Sequence, residues 1–107
     1  MATAQLENDL QALVDGLSEL RTATPNSDPD YPAIEKSYRA ASDLLEASLE
    51  KAIDAADEDY VAFSEQLTKA MVVIDKAKKK IDKISKVIAI TAQAIDVAGK
   101  IVSKIRS

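Results

Sequence analysis

One apolar pattern constrains this chain more than any other. From Tyr60 to Ile105 hydrophobic residues recur at alternating steps of three and four, through Phe63, Leu67, Ala70, Ile74 and Ala77 into Ile81, Ile84, Ile88, Thr91, Ile95, Ala98 and Val102. That spacing is a helical heptad seam. Over its last part a second apolar row, Val87, Ile90, Ala94, Val97 and Ile101, lies beside the first. Between Val87 and Gly99 only Thr91, Gln93 and Asp96 are polar. A helix that apolar must be covered on several sides.

The residues available to cover it are helical too. Glycine is limited to Gly16 and Gly99, and proline to Pro25, Pro29 and Pro32, too few for the many turns of a β or α/β fold. The expectation is all-α. Three Tyr and one Phe are the only aromatics, so the core must be aliphatic and alanine-rich. A chain of 107 residues that is 47% hydrophobic suits one domain, residues 1–107.

A first helix, about 4–21, carries the leucine seam Leu6, Leu10, Leu13, Leu17 and Leu20, with Gly16 marking either a close helix contact or a weak point. The linker 22–32 contains all three prolines and the turn formers Asn26, Ser27 and Asp28. Asp28 or Asp30 would cap a second helix, about 30–56, with Ile34, Tyr38, Ala41, Leu45 and Leu49 on its seam. Tyr31 would anchor the linker to the core. The acidic cluster Asp54, Asp57, Glu58 and Asp59 reads as helix capping, with Asp57 as N-cap, because it lacks the spacing and glycine of an EF-hand loop.

Nothing between Lys76 and Lys86 is a helix breaker, so two folds compete. One is an antiparallel four-helix bundle with heptad packing and helices at about 58–80 and 82–105. There Lys78–Lys80 would complement the negative helix end, and Asp82 or Ser85 would cap the next helix. The other has three helices, the last a rod of about 48 residues and roughly 72 Å over 58–105, shared in a dimer. Equal helix lengths favour the first. In it, Thr91 would lie on the seam with its hydroxyl bonded to the preceding turn, while Gln93, Asp96 and Lys100 mark a solvent-facing edge.

Charge is divided along the chain. Residues 1–66 hold 15 acidic and 4 basic residues, whereas residues 67–107 hold 3 and 10. An acidic first hairpin lying against a basic second one accounts for the split. The alternative is a basic face for an anionic partner. Lys76, Lys79, Lys80, Lys83 and Lys86 would then provide the charge, with Val87, Ile90, Val97 and Ile101 as the apolar contact for a protein or a lipid surface. Missing arginine and interleaved aromatics in that run argue against nucleic acid.

The chain has no His and no Cys, which removes the commonest metal ligand, the neutral-pH proton shuttle, thiolate sites and disulfides. No phosphate loop or activated nucleophile is visible, so no enzyme, cofactor or metal is expected. No signal peptide or membrane span is legible either, which suggests a cytoplasmic protein. The functional expectation is a non-enzymatic interaction module of adaptor, immunity or chaperone-like type. A membrane-surface-active protein and a self-assembling coiled-coil subunit are the alternatives.

Overall fold

The computed structural model describes residues 3–49 and 51–106. It is compact and helical, with four helices among the described residues. With two short strands the elements are, in order, β1 (Thr3–Gln5), α1 (Leu6–Ala23), α2 (Tyr31–Ser48), β2 (Ala52–Asp54), α3 (Glu58–Lys78) and α4 (Ile84–Arg106). Close packing joins α1 to α2, α3 to α4, α1 to α3, and α2 to α4.

The leucine seam of α1 forms the core as its spacing requires. Leu6, Leu10, Leu13, Leu17 and Leu20 are all buried. Gly16 is a close contact with α3: a Cβ there would stand 3.1 Å from Met71 Cε. The core has two centres. One gathers Leu13, Leu17, Leu20, Ile34, Ile74 and Val87, and the other Leu6, Leu10, Ile53, Phe63, Ala98 and Ile101. Leu45 and Leu67 touch both.

Helix α2 begins at Tyr31 after Asp30, with Pro32 in its first turn, where a missing amide hydrogen costs nothing. It ends at Ser48, eight residues before the expected Ala56. The difference has a tertiary cause. Residues 52–54 pair antiparallel with residues 3–5, in the register Thr3↔Asp54, Ala4↔Ile53 and Gln5↔Ala52. This small ribbon turns Ile53 into the core and leaves Leu49, expected on the seam, 49% exposed.

The expected break before α4 is present, and the uninterrupted rod over 58–105 does not describe the chain. Its means is unusual. Lys80 adopts φ 62°, the left-handed conformation that normally calls for glycine. The Lys80 amide donates to the Ala77 carbonyl at 3.0 Å and the Ile81 amide to the Lys76 carbonyl at 2.8 Å, which satisfies the end of α3 as a Schellman motif. The apolar contact that usually accompanies this motif is missing, since Ile81 is 68% exposed. Neither Asp82 nor Ser85 caps α4, because the helix starts at Ile84 and places Ser85 inside its first turn. Asp82 instead lies 3.5 Å from the Lys86 ammonium.

The buried stripe of α4 is rotated from the expected seam. Val87, Thr91, Ala94, Ala98 and Ile101 are fully buried, while Ile84, Ile88 and Ile95 are half-buried. The row beside the seam thus supplies much of the core contact. Thr91 also departs from expectation: its Oγ1 is buried and has no hydrogen-bond partner.

Candidate functional site

Two surface features are lined by residues that sequence reasoning had singled out or passed over. The first is the end of the molecule where the α3–α4 turn meets the α1–α2 connection. Lys76, Lys79, Lys80, Lys83 and Lys86 are all exposed there. They do not form one uniform basic face. Lys79 pairs with Asp75 at 3.1 Å and Lys86 with Asp82, both within a helical turn. Lys78 reaches Glu19 of α1 at 2.8 Å, and this carboxylate holds its pKa above the usual lysine value. The cleft between the two connections, about 470 Å³, mixes Lys78, Lys80 and Lys83 with Asp28, Asp30 and Asp82. Opposite charges at this range cancel most of the field that an anion would feel.

The apolar residues expected to accompany the lysines are not on that surface. Val87 and Ile101 are core residues with no exposed area, so neither is available to a partner or a lipid. Ile90 and Val97 are half-buried, packed against the first and second core centres respectively. The reason is geometric. The lysines lie at one end of α4 whereas these side chains point along its inward face.

At the other end, the acidic cluster acts as expected of helix caps. Asp57 Oδ1 accepts the amides of Asp59, at 2.9 Å, and Tyr60, at 3.4 Å. Lys104 of α4 bridges Asp57 and Asp59 at 3.0 and 2.8 Å. Its ammonium, helped by the two backbone amides, outweighs partial burial and lowers the Asp57 pKa. The Tyr60 hydroxyl donates to Asp9 Oδ2 at 2.6 Å, tying α3 to α1, and burial followed by this bond raises the Tyr60 pKa. Among the described residues, the ion pairs that join residues 1–66 to residues 67–107 are Lys78 with Glu19 at one end and Lys104 with Asp57 and Asp59 at the other. The complementarity expected of the whole halves is therefore concentrated at the two ends.

The second feature runs along the α2–α4 face. Half-buried Leu44, Ile88 and Ile95 form the floor of a shallow groove. Its walls are unusually small: Ala33, Ser37 and Ala40 on α2, and Ala92 and Gly99 on α4. The groove consists of two contiguous depressions of about 400 and 540 Å³ that share Ala40, Ile95 and Asp96. Residues 33–37 lie beside residues 88–92, and residues 43–44 beside residues 99–103, so the two helices run the same way along it. Four exposed charges line it, Lys36 and Asp43 on α2 and Asp96 and Lys100 on α4, with Asp96 at the junction of the two depressions. Gln93, Asp96 and Lys100 are exposed, as their placement on a solvent edge requires.

Sequence reasoning missed this groove. Its signal was available in the small residues at Ala33, Ser37 and Ala40, which recur at steps of four and three. Elsewhere, Tyr38 stacks under the Arg21 guanidinium, 4.1 Å from ring centroid to carbon, and Tyr31 is half-buried at the start of α2. No described helix is long and apolar enough to cross a membrane, and no group of acidic residues among those described is arranged to hold a metal ion. Comparison with protein-family models, with curated proteins and with solved structures finds no match to this chain.

Proposed function

We propose that the chain is a non-enzymatic protein-interaction module of adaptor, immunity or chaperone-like type, and that its recognition surface is the α2–α4 groove. The framework is a four-helix bundle with heptad packing in which each hairpin is antiparallel, α1 against α2 and α3 against α4. Two observations support that framework. Buried residues on α1 and α4 follow steps of four and three, and Lys104 joins the end of α4 to the start of α3.

The observation that carries the functional reading is the groove itself. Leu44, Ile88 and Ile95 remain half-exposed between small walls while every larger residue of α1's seam is buried. A helix with an apolar stripe fits such a surface, with Ile88 and Ile95 as the contacts nearest its axis. Asp43, Asp96, Lys36 and Lys100 would fix its direction. A photo-crosslinking residue at Ala92 tests this in the cells that make the protein. The expected result is a discrete protein adduct from Ala92 that is absent when the probe stands at Thr68 on α3. Equal labelling from both positions, or none from Ala92, overturns the assignment.

A lipid-surface role has weaker support. It would need α4 to withdraw Val87 and Ile101 from the core, because the lysine-rich end carries only Ile81 as a large exposed apolar side chain.

A further inference from the structure

We infer that the occupant of the α2–α4 face is a second copy of this chain, bound through an isologous interface. The inference rests on the reading of that face as the recognition surface, and it names the partner. Three observations carry it.

The first is Gly99. Glycine inside a helix weakens it relative to alanine, and the usual compensation is a close approach by a neighbour. Gly16 has that compensation in Met71, but a Cβ on Gly99 would meet nothing within 4 Å. The fold of the single chain makes no use of the missing side chain. An approaching helix does.

The second is the arrangement of charge. Along α2 the order is Lys36 then Asp43, and alongside on α4 it is Asp96 then Lys100. Each helix therefore carries one cation and one anion, in opposite order along the groove. A two-fold axis lying in the face along the groove turns Lys36 of one copy toward Asp96 of the other and Asp43 toward Lys100, so that each of the four charges meets one of opposite sign. Isologous association demands this kind of self-complementarity. None of the four side chains is in an ion pair within the described residues.

The third is size. The molecule measures 45 by 21 by 17 Å between Cα extremes, so one long face offers on the order of 800 Å², close to what each partner of a standard interface buries.

Sedimentation of the full chain over a range of concentrations tests the inference. The wild type should show a reversible monomer–dimer equilibrium. Gly99→Ala should raise the urea midpoint of the monomer, measured at a dilution where dimer is absent, and yet weaken dimerisation by about tenfold or more. A fold-stabilising change that weakens association separates an interface role from a structural one. Lys36→Glu should also weaken the dimer. Reversing all four charges together (Lys36→Glu, Asp43→Lys, Asp96→Lys, Lys100→Glu) should restore it, and the reversed chain should not pair with the wild type. A strictly monomeric wild type overturns the inference, and so does a dimer indifferent to Gly99→Ala and Lys36→Glu. If the chain is monomeric while the Ala92 probe captures a different protein, the self-partner is wrong and the interaction-module reading stands.

Discussion

Replacing Lys80 with glycine should make the protein more stable. Lys80 holds φ 62°, where a Cβ crowds the following carbonyl at a cost of about 1–2 kcal/mol. Glycine removes that crowding but brings a freer unfolded chain, which takes back about 0.4–1 kcal/mol. The net expectation is a gain of about 0.5–1 kcal/mol, or roughly 2–6 °C in Tm for a domain of this size. Both hydrogen bonds of the turn, from the Lys80 and Ile81 amides, are backbone bonds and survive the change. Losing one cation from a lysine-rich end also relieves repulsion, so Lys80→Ala is the control. It removes the same charge and keeps the Cβ. Urea unfolding followed by circular dichroism, with the slope unchanged, is the measurement. A Lys80→Ala midpoint that rises as far as the glycine variant's, or no rise in Lys80→Gly, would refute the assignment of backbone strain to this residue.

Thr91→Val should stabilise the fold by about 1 kcal/mol in the same assay, because it replaces a buried hydroxyl that lacks a partner with a methyl group of similar shape. Gly16→Val should cost about 1–3 kcal/mol, since even a Cβ stands 3.1 Å from Met71 and the larger side chain must displace it; an unchanged midpoint would show that α1 and α3 do not meet there. The lowered pKa of Asp57 means that its contribution is present above the unfolded carboxylate value and is lost as pH falls through the lower folded value. Stability should therefore drop in acid below about pH 4, and less steeply in Lys104→Met, which removes the main cause of the shift. Identical acid profiles for the two proteins would rule out the Lys104 contact as that cause.

The features legible in the sequence are those set by local spacing. The α1 seam, the proline-bounded connection and the Asp57 cap all follow from residues within a few turns of one another. The break before α4 was legible through helix length alone, because its means, a lysine in a conformation suited to glycine, leaves no mark on the composition. Residues 51–56 were misread for a different reason. Their alanines and Ile53 continue a helical pattern, and only the approach of residues 3–5 from the far end of the chain makes a ribbon more favourable. On α4 the two apolar rows are nearly equivalent as sequence, so the choice of Val87 and Ile101 for the core is decided by where α2 and α3 stand. The groove escaped notice because it depends on which small residues of α2 come to face which residues of α4.

The three-pair ribbon also has a bearing on the order in which the molecule forms. It joins the start of the chain to its middle and encloses residues 6–51, which contain α1 and α2, in a closed loop. Closing a loop of that length costs roughly 3 kcal/mol in chain entropy, more than three strand pairs supply alone. The ribbon therefore has to wait until α1 has packed on α2, and Ile53 until Phe63 arrives to share its pocket. Slowed amide exchange within residues 3–5 and 52–54 becomes a late marker of folding, reporting that the start of the chain has reached its middle.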